Sequence, residues 1–315
     1  MEKNHHVFLT ESANCLLCGG KNYSEESISL IRRSFFSDGE LHLKIDKNCL
    51  SDSVVVISSI QSPATNLIEL LFILHEFTAR GMKELFLILP YLAYNRQDRR
   101  INEGDFLNAT HVLKLLLQSG ATRFGFIDVH NETTLNFLKE KNIPVHVVSA
   151  VPYLVQSVRQ KFGNIECVVA PDAGSVQLAE EYAMLLGCPF IILKKQRKGD
   201  GSVAREELSS GESTAIKDKN ILIVDDILDT AGTIVSATDM LTYAGAKNVY
   251  VCVTHSFFSH PATEKINKSM IRGIISTDSI TLDQSVINSI SCPLTRISIG
   301  PCINDLLECH TPNLC

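Results

Sequence analysis

The segment Asp225-Asp226-Ile-Leu-Asp229-Thr230-Ala231-Gly232-Thr233 gathers three acids, two hydroxyls and a glycine within nine residues. It follows the apolar run Asn220–Val224 and leads into a helix-period run, Ala231–Ala244. Where a strand passes through a short loop into a helix, the first N–H groups of the helix point outward and bind phosphate. Thr230 and Thr233 would add hydroxyl donors, and Gly232 would let the backbone approach an anion closely. Asp225 and Asp226 would sit at the strand end, where parallel sheets hold ligands, and could accept hydrogen bonds from sugar hydroxyls. An ordinary capped helix, with acids favouring its dipole, would account for Asp229 and Thr230 but not for the adjacent acid pair.

A second concentration of charge begins at Lys194, Lys195, Arg197 and Lys198 and opens a stretch to Lys219 rich in Gly, Ser and charge. A long segment without apolar periodicity is usually functional or solvated, and its cations would suit a loop that closes over phosphate. Further polar residues follow apolar runs: Arg96, Gln97, Asp98 and Arg99 after Leu85–Leu89, His130 after Arg123–Asp128, and Asp172 after Glu166–Ala170. Asp is a natural ligand for a hard cation, whereas His is unusual for Mg²⁺ and fits a phosphate contact better. Phe36-Ser-Asp38-Gly39-Glu40 reads locally as a turn in which Gly39 takes positive φ.

The elements that must position these residues alternate. Strands are expected at Val54–Ser58, Leu85–Leu89, Arg123–Asp128, Val145–Val148, Glu166–Ala170, Phe190–Leu193, Asn220–Val224, Asn248–Val253 and Ile271–Ser276. Helices are expected at Asn66–Arg80, Leu107–Ser119, Val151–Lys161, Val176–Leu186 and Ala231–Ala244. This βαβα order predicts an α/β fold with parallel sheets covered by helices. Gly120-Ala to His130 echoes Gly245-Ala to His255 at equal length, which suggests two similar halves divided near residue 150.

With 315 residues and 45% hydrophobic content, the chain can bury a large core, and collagen-like or fully disordered classes are excluded. A net charge of −6 argues against a broad nucleic-acid or anionic-membrane footprint. No apolar run reaches the ~18 residues of a membrane span, and the N-terminus does not read as a secretory signal, so a cytoplasmic location is expected. Among ten cysteines, Cys167, Cys188 and Cys252 lie in apolar runs. Cys302, Cys309, His310 and Cys315 crowd the C-terminus, with spacings that fit no regular zinc finger.

The Asp225–Thr233 segment resembles the phosphoribosyl-diphosphate (PRPP) signature shared by type I phosphoribosyltransferases and ribose-phosphate diphosphokinases. Four more segments are similar to the diphosphokinase family alone or complete its pattern. Phe36–Glu40 resembles F-S-D-G-E, Pro90–Arg99 resembles P-Y-x-x-Y-A-R-Q-D-R, Asp128-Val-His130 resembles D-L-H, and Pro171–Gly174 resembles P-D-x-G. Lys195 and Arg197 align with K-x-R at the start of the family's flexible catalytic loop. The resemblance covers roughly residues 25–310. It implies two phosphoribosyltransferase-like domains, each a mainly parallel sheet flanked by helices. Residues 1–150 would carry the ATP motifs and 151–315 the ribose-5-phosphate loop.

The implied activity is Mg²⁺-assisted transfer of a diphosphoryl group from ATP to ribose 5-phosphate. Phe36, Asp38, Glu40, Arg96, Gln97, Asp98 and His130 would bind ATP, with the Phe36 loop reaching a neighbouring subunit. Asp225, Asp226, Asp229, Thr230, Ala231, Gly232 and Thr233 would bind ribose 5-phosphate. Lys195 and Arg197 would act in catalysis, and His130 and Asp172 would lie near Mg²⁺. A homo-oligomer, dimer or hexamer, is implied.

Departures from the family pattern include Asn95 for its Ala, Thr110 for a Lys, Ser175 for the second Gly of P-D-x-G-G, and Asn131–Leu138 in place of a Q-x-x-G-F-F segment. Several of these places help form the family's regulatory phosphate site, so phosphate activation and ADP inhibition are expected to be weak or absent. The alternatives are a PRPP-consuming phosphoribosyltransferase, a catalytically silent regulatory relative, and a diphosphokinase with a different ribosyl acceptor.

Overall fold

The computed structural model describes residues 6–10, 12–13, 28–45, 52–97, 100, 102–129, 133–193 and 215–309. The chain divides into two compact units, Met1–Ser149 with Ser298–Cys315, and Ala150–Ile297.

The first unit holds strands β1 (His6–Leu9), β2 (Ile28–Phe35), β3 (Leu41–Ile45), β4 (Ser53–Ile57), β5 (Glu84–Leu89), β6 (Arg123–Ile127) and β7 (Val145–Val148). They form one sheet in the order β3-β2-β1-β4-β5-β6-β7, parallel except for the β2–β3 hairpin. Val54, Val55, Val56 and Ile57 are all fully buried, as expected of a strand covered on both faces. Helix α1 (Thr65–Ala79) buries Leu70, Ile73, Leu74 and Phe77, the stripe that a 3.6-residue period produces. Helices α2 (Asn108–Gln118) and α3 (Thr133–Glu140) complete the run before β7.

The second unit holds β8 (Cys167–Ala170), β9 (Phe190–Ile192), β10 (Asn220–Leu228), β11 (Asn248–Ser256), β12 (Ile271–Thr277) and β13 (Leu294–Ile297). Its sheet runs β13-β12-β11-β10-β8-β9 and is parallel throughout. Its helices are α4 (Val151–Phe162), α5 (Val176–Leu186), α6 (Gly232–Tyr243), α7 (Ala262–Lys268) and α8 (Gln284–Ser289). In this sheet the order reverses between β8 and β10, leaving a crevice at their carboxyl ends.

Three expectations need correction. The last segment does not stay with the second half: α9 (Gly300–Glu308) packs on β7 and β6 of the first unit. Its buried Cys302, Ile303, Leu306 and Leu307 form an apolar stripe that covers that sheet. The echo between Gly120–His130 and Gly245–His255 joins non-equivalent strands. Counting outward from each sheet's point of reversal, β6 is third on its side and β11 second. The shared pattern therefore reflects a common helix–Gly–strand junction rather than a repeat in register. The stretch from Lys194 to Lys219 is not structureless to its end, because Ile216 is fully buried in the second unit's core.

Candidate active site

β10 runs further than expected, through both acids to Leu228. Its pairing with β8 ends at Ile223, while its pairing with β11 continues to Leu228. Asp225 and Asp226 therefore sit where β8 diverges, at the topological crevice rather than in a loop beyond it. From the other side of the crevice, Pro171–Ser175 follows β8. Asp172 accepts a hydrogen bond from the Gly174 backbone N–H at 2.9 Å and so caps the short 3₁₀ turn Ala173–Ser175.

Ser175 closes the fork. Its hydroxyl is buried and donates to Asp225 Oδ1 at 2.7 Å, and the Asp226 N–H donates to the same oxygen at 3.0 Å. Burial pushes the Asp225 carboxyl up to about 7, and repulsion from Asp226 and Asp172 adds to the rise, while the Ser175 hydrogen bond opposes it. Partly buried, mutually repelling carboxylates at a strand end suit a polyhydroxylated ligand or a hard cation. Among the described residues no group of three His, Cys, Asp or Glu forms a ready metal cage. Mg²⁺ usually takes one or two carboxylates plus water and substrate phosphates, and Asp172 at this fork offers one such carboxylate.

The Asp229–Thr233 turn leads into α6. Its cap is Ala231, in the left-handed region at φ 59°, with no side-chain capping bond. The cap position of α6 falls on Ala231, which has no side-chain oxygen to offer, rather than on Asp229 or Thr230. Thr230 is exposed, Ala231 is buried, and Gly232 and Thr233 begin the helix. A left-handed non-glycine residue is held there at some expense in strain, which recurs where a backbone is preset for a ligand. The β10–β11 pairing holds this turn, and the Phe257 N–H donates to the Leu228 carbonyl at 2.7 Å.

In the first unit, Phe36, Asp38 and Glu40 occupy the exposed tip of the β2–β3 hairpin. The tip closes through Phe36 N–H to Glu40 O and Gly39 N–H to Phe36 O, both at 2.9 Å, with Gly39 at φ 91°. Asp38 accepts the Glu40 N–H at 3.0 Å, and the Phe36 ring lies 5.2 Å from His42. Arg96 and Gln97 end a turn in which the Gln97 N–H donates to Tyr94 O, with Tyr94 at φ 65°. The Gln97 side chain accepts from Asn108 at the start of α2, so it is tied to that helix. Arg96 is exposed. Asp98, His130, Lys195 and Arg197 lie outside the described residues.

Asn95 and the segment after His130 are separate departures along the sequence. They meet: Asn95 is buried, and the Thr134 hydroxyl donates to its Oδ1 at 2.6 Å. Ser175, noted only as a lost glycine, supplies the bond to Asp225. A hydroxyl three residues after Asp172 was the available signal. Of the C-terminal cysteine group, Cys302 is buried in the core and Cys309 is exposed, while His310 and Cys315 lie outside the described residues.

A family model described as the phosphoribosyl transferase domain matches residues 147–288. Another, the N-terminal domain of ribose phosphate pyrophosphokinase, matches residues 21–120. A ribose-phosphate pyrophosphokinase of Aquifex aeolicus is 34% identical over 276 residues, covering 87% of this chain and 85% of its own. The chain belongs to the ribose-phosphate pyrophosphokinase family. A relative of that name from Methanobrevibacter smithii is 33% identical, over 90% of this chain and 93% of its own. Among solved structures, phosphoribosylpyrophosphate synthetase from Mycobacterium smegmatis superposes with a TM-score of 0.82 at 25% identity, covering 97% of this chain and 98% of that one. Pyrophosphokinase and diphosphokinase name the same reaction class, so the family is the one whose motifs the sequence carries.

Proposed function

We propose that this protein is a ribose-phosphate diphosphokinase, converting ATP and ribose 5-phosphate to AMP and 5-phosphoribosyl 1-diphosphate. The observation that carries the reading is the β8/β10 crevice, where an acid pair stands before a helix N-terminus whose cap residue, Ala231, makes no side-chain bond, within a chain of this family. The sugar 1-hydroxyl attacks the β-phosphorus of ATP. The bond from that phosphorus to the α,β-bridging oxygen breaks, AMP leaves with that oxygen, and the hydroxyl proton passes to solvent. Such chemistry needs positioning and charge neutralisation rather than a covalent protein nucleophile.

Backbone N–H groups of the 230–233 turn, with Thr230 and Thr233, hold the 5-phosphate. Asp225 and Asp226 orient the ribose hydroxyls. Phe36, Asp38 and Glu40, presented by the hairpin of a neighbouring copy in a homo-oligomer, take the adenine, and Arg96, Gln97, Asp98 and His130 take ATP. Lys195 and Arg197 stabilise charge on the transferring group. Asp172, with His130 through water, would hold Mg²⁺, which supplies charge neutralisation on the phosphate oxygens when bound. No helix of the described residues is long and apolar enough to cross a membrane, and a cytoplasmic site of action agrees with these substrates.

The test is AMP release from ATP, followed with and without ribose 5-phosphate. Release that requires the sugar phosphate and yields PRPP supports the proposal. A PRPP-consuming transferase would release none, and it would leave Phe36–Glu40 and Arg96–Arg99 without a task. A chain that binds ATP but forms no PRPP would be the silent relative. A panel of ribosyl 5-phosphates would reveal a different acceptor.

A further inference from the structure

The turn before α6 has a neighbour that no motif named. Helix α7 is anchored by Ala262 and Ile266, which are 0% and 2% exposed in the core that also takes Ala231 and Ile234. One turn of spacing between those anchors puts Lys265 beside the buried stripe, half-buried, on the side where α7 packs against α6. Its ammonium reaches the turn. A Cβ placed on Gly232 would lie 3.6 Å from Lys265 Nζ and 4.0 Å from Thr230 Oγ1. The cation and the hydroxyl thus face one small space directly over the first residue of α6.

Lys265 adds its charge at a place that already favours an anion. A helix N-terminus carries partial positive charge and is normally matched by an acid or a capping oxygen. Here α6 has no acidic residue in its first turn and no side-chain cap. Lys265 brings a further positive charge to its first residue. Among the described residues no carboxylate pairs with Lys265. Its neighbour Glu264 turns to His260, 3.9 Å from Nδ1. A half-buried ammonium at the positive end of a helix is unfavourable in the empty protein and favourable once an anion occupies the space.

We infer that Lys265 is a binding residue for the 5-phosphate of the sugar substrate, closing the α7 side of the cradle formed by the 230–233 turn. The inference deepens the proposed function and rests on its assignment of that turn to ribose 5-phosphate. It also assigns a selectivity: an ammonium plus backbone N–H groups require a dianionic phosphoryl group, so ribose itself should not bind.

The test is calorimetric titration of the full chain with ribose 5-phosphate and with ribose, for wild type, Lys265→Met, Lys265→Arg and Thr233→Ala, with unliganded melting temperatures measured alongside. Losing a charge-assisted hydrogen bond should weaken ribose 5-phosphate binding about 10–100-fold in Lys265→Met. Lys265→Arg should recover most of it, KM for ATP should stay near wild type, and the unliganded Lys265→Met protein should melt no lower than wild type. Unchanged affinity in Lys265→Met, with loss in Thr233→Ala, would overturn the role of Lys265 and leave the turn assignment standing. A lower unliganded melting temperature, with no recovery in Lys265→Arg, would overturn it in favour of a structural role. Wild type that binds no ribose 5-phosphate, or loss in neither variant, would overturn the turn assignment itself.

Discussion

Asp225 illustrates how a residue proposed to serve the chemistry can be costly to the fold. Its carboxyl is raised to about 7 by burial and by Asp226 and Asp172. In an unfolded chain it would titrate near the ordinary ~3.9. The folded state therefore resists ionising it: the penalty is absent below the unfolded value, grows as pH rises, and is complete above about 7. Asp225→Asn should raise the unliganded melting temperature at pH 8 by about 2–4 °C per kcal/mol of relieved penalty. The gain should be smaller at pH 5, while PRPP formation is lost. Equal shifts at both pH values would contradict the buried-acid account. Gly232 gives a second test. An added methyl would meet Lys265 Nζ at an ordinary 3.6 Å, so Gly232→Ala should fold with near-native stability. It would still fill the phosphate space, and KM for ribose 5-phosphate should rise at least about tenfold, the scale of one lost anion hydrogen bond. An unchanged KM would show that the phosphate lies elsewhere.

At the level of elements, the central strands were readable because burial on both faces leaves unbroken β-branched runs, as in Val54–Ile57 and Ile221–Val224. The elements that escaped reading were those with weak or mixed patterns. β1 is four residues long, β2 and β3 form a hairpin with exposed Arg32 and Phe35, and β13 is only partly buried. β10 was read too short because Asp225 and Asp226 look like a strand end, although pairing with β11 carries the strand past them. The acid pair and the phosphate turn were legible from residue type and order. Ser175 and Lys265 were not, because their roles depend on which strand and helix become neighbours. The same holds for Asn95 and Thr134, two departures that only the packing of α3 brings together. Deleting either partner should strand a buried polar atom. Asn95→Ala and Thr134→Val should each destabilise the protein, and a double-mutant cycle should give a coupling of about 1–3 kcal/mol. Additive effects would mean that the bond does not hold the Tyr94–Gln97 turn.

For the whole molecule, two units each build a mainly parallel α/β sheet, and the proposal gives them different work. Both reverse their strand order beside the first strand, between β1 and β4 and between β8 and β10. Among the described residues, carboxylates stand there only in the second unit. In the first unit the equivalent positions are Thr10, Ser58 and Ser59, all fully buried, and the Thr10 hydroxyl donates to Ser58 Oγ at 3.2 Å. Two of those hydroxyls bond each other rather than facing a carboxylate, and the proposal assigns sugar-phosphate binding to the second unit. The altered residues Asn95, Thr110 and Ser175 lead to the expectation that free phosphate changes the rate little. A steep phosphate requirement in steady-state assays would count against that. Removing the Lys195 side chain should lower kcat far more than it raises KM for ATP, and equal losses would mark it as a ground-state contact.

The most direct measurement is phosphorus NMR of a reaction containing this protein, ATP, ribose 5-phosphate and Mg²⁺. Transfer of the β,γ-diphosphoryl unit predicts AMP and a C1-linked diphosphate ester growing in equal amounts, with neither ADP nor inorganic phosphate as an early product. Formation of ADP, or a mixture that stays unchanged while added PRPP is consumed, would contradict the account.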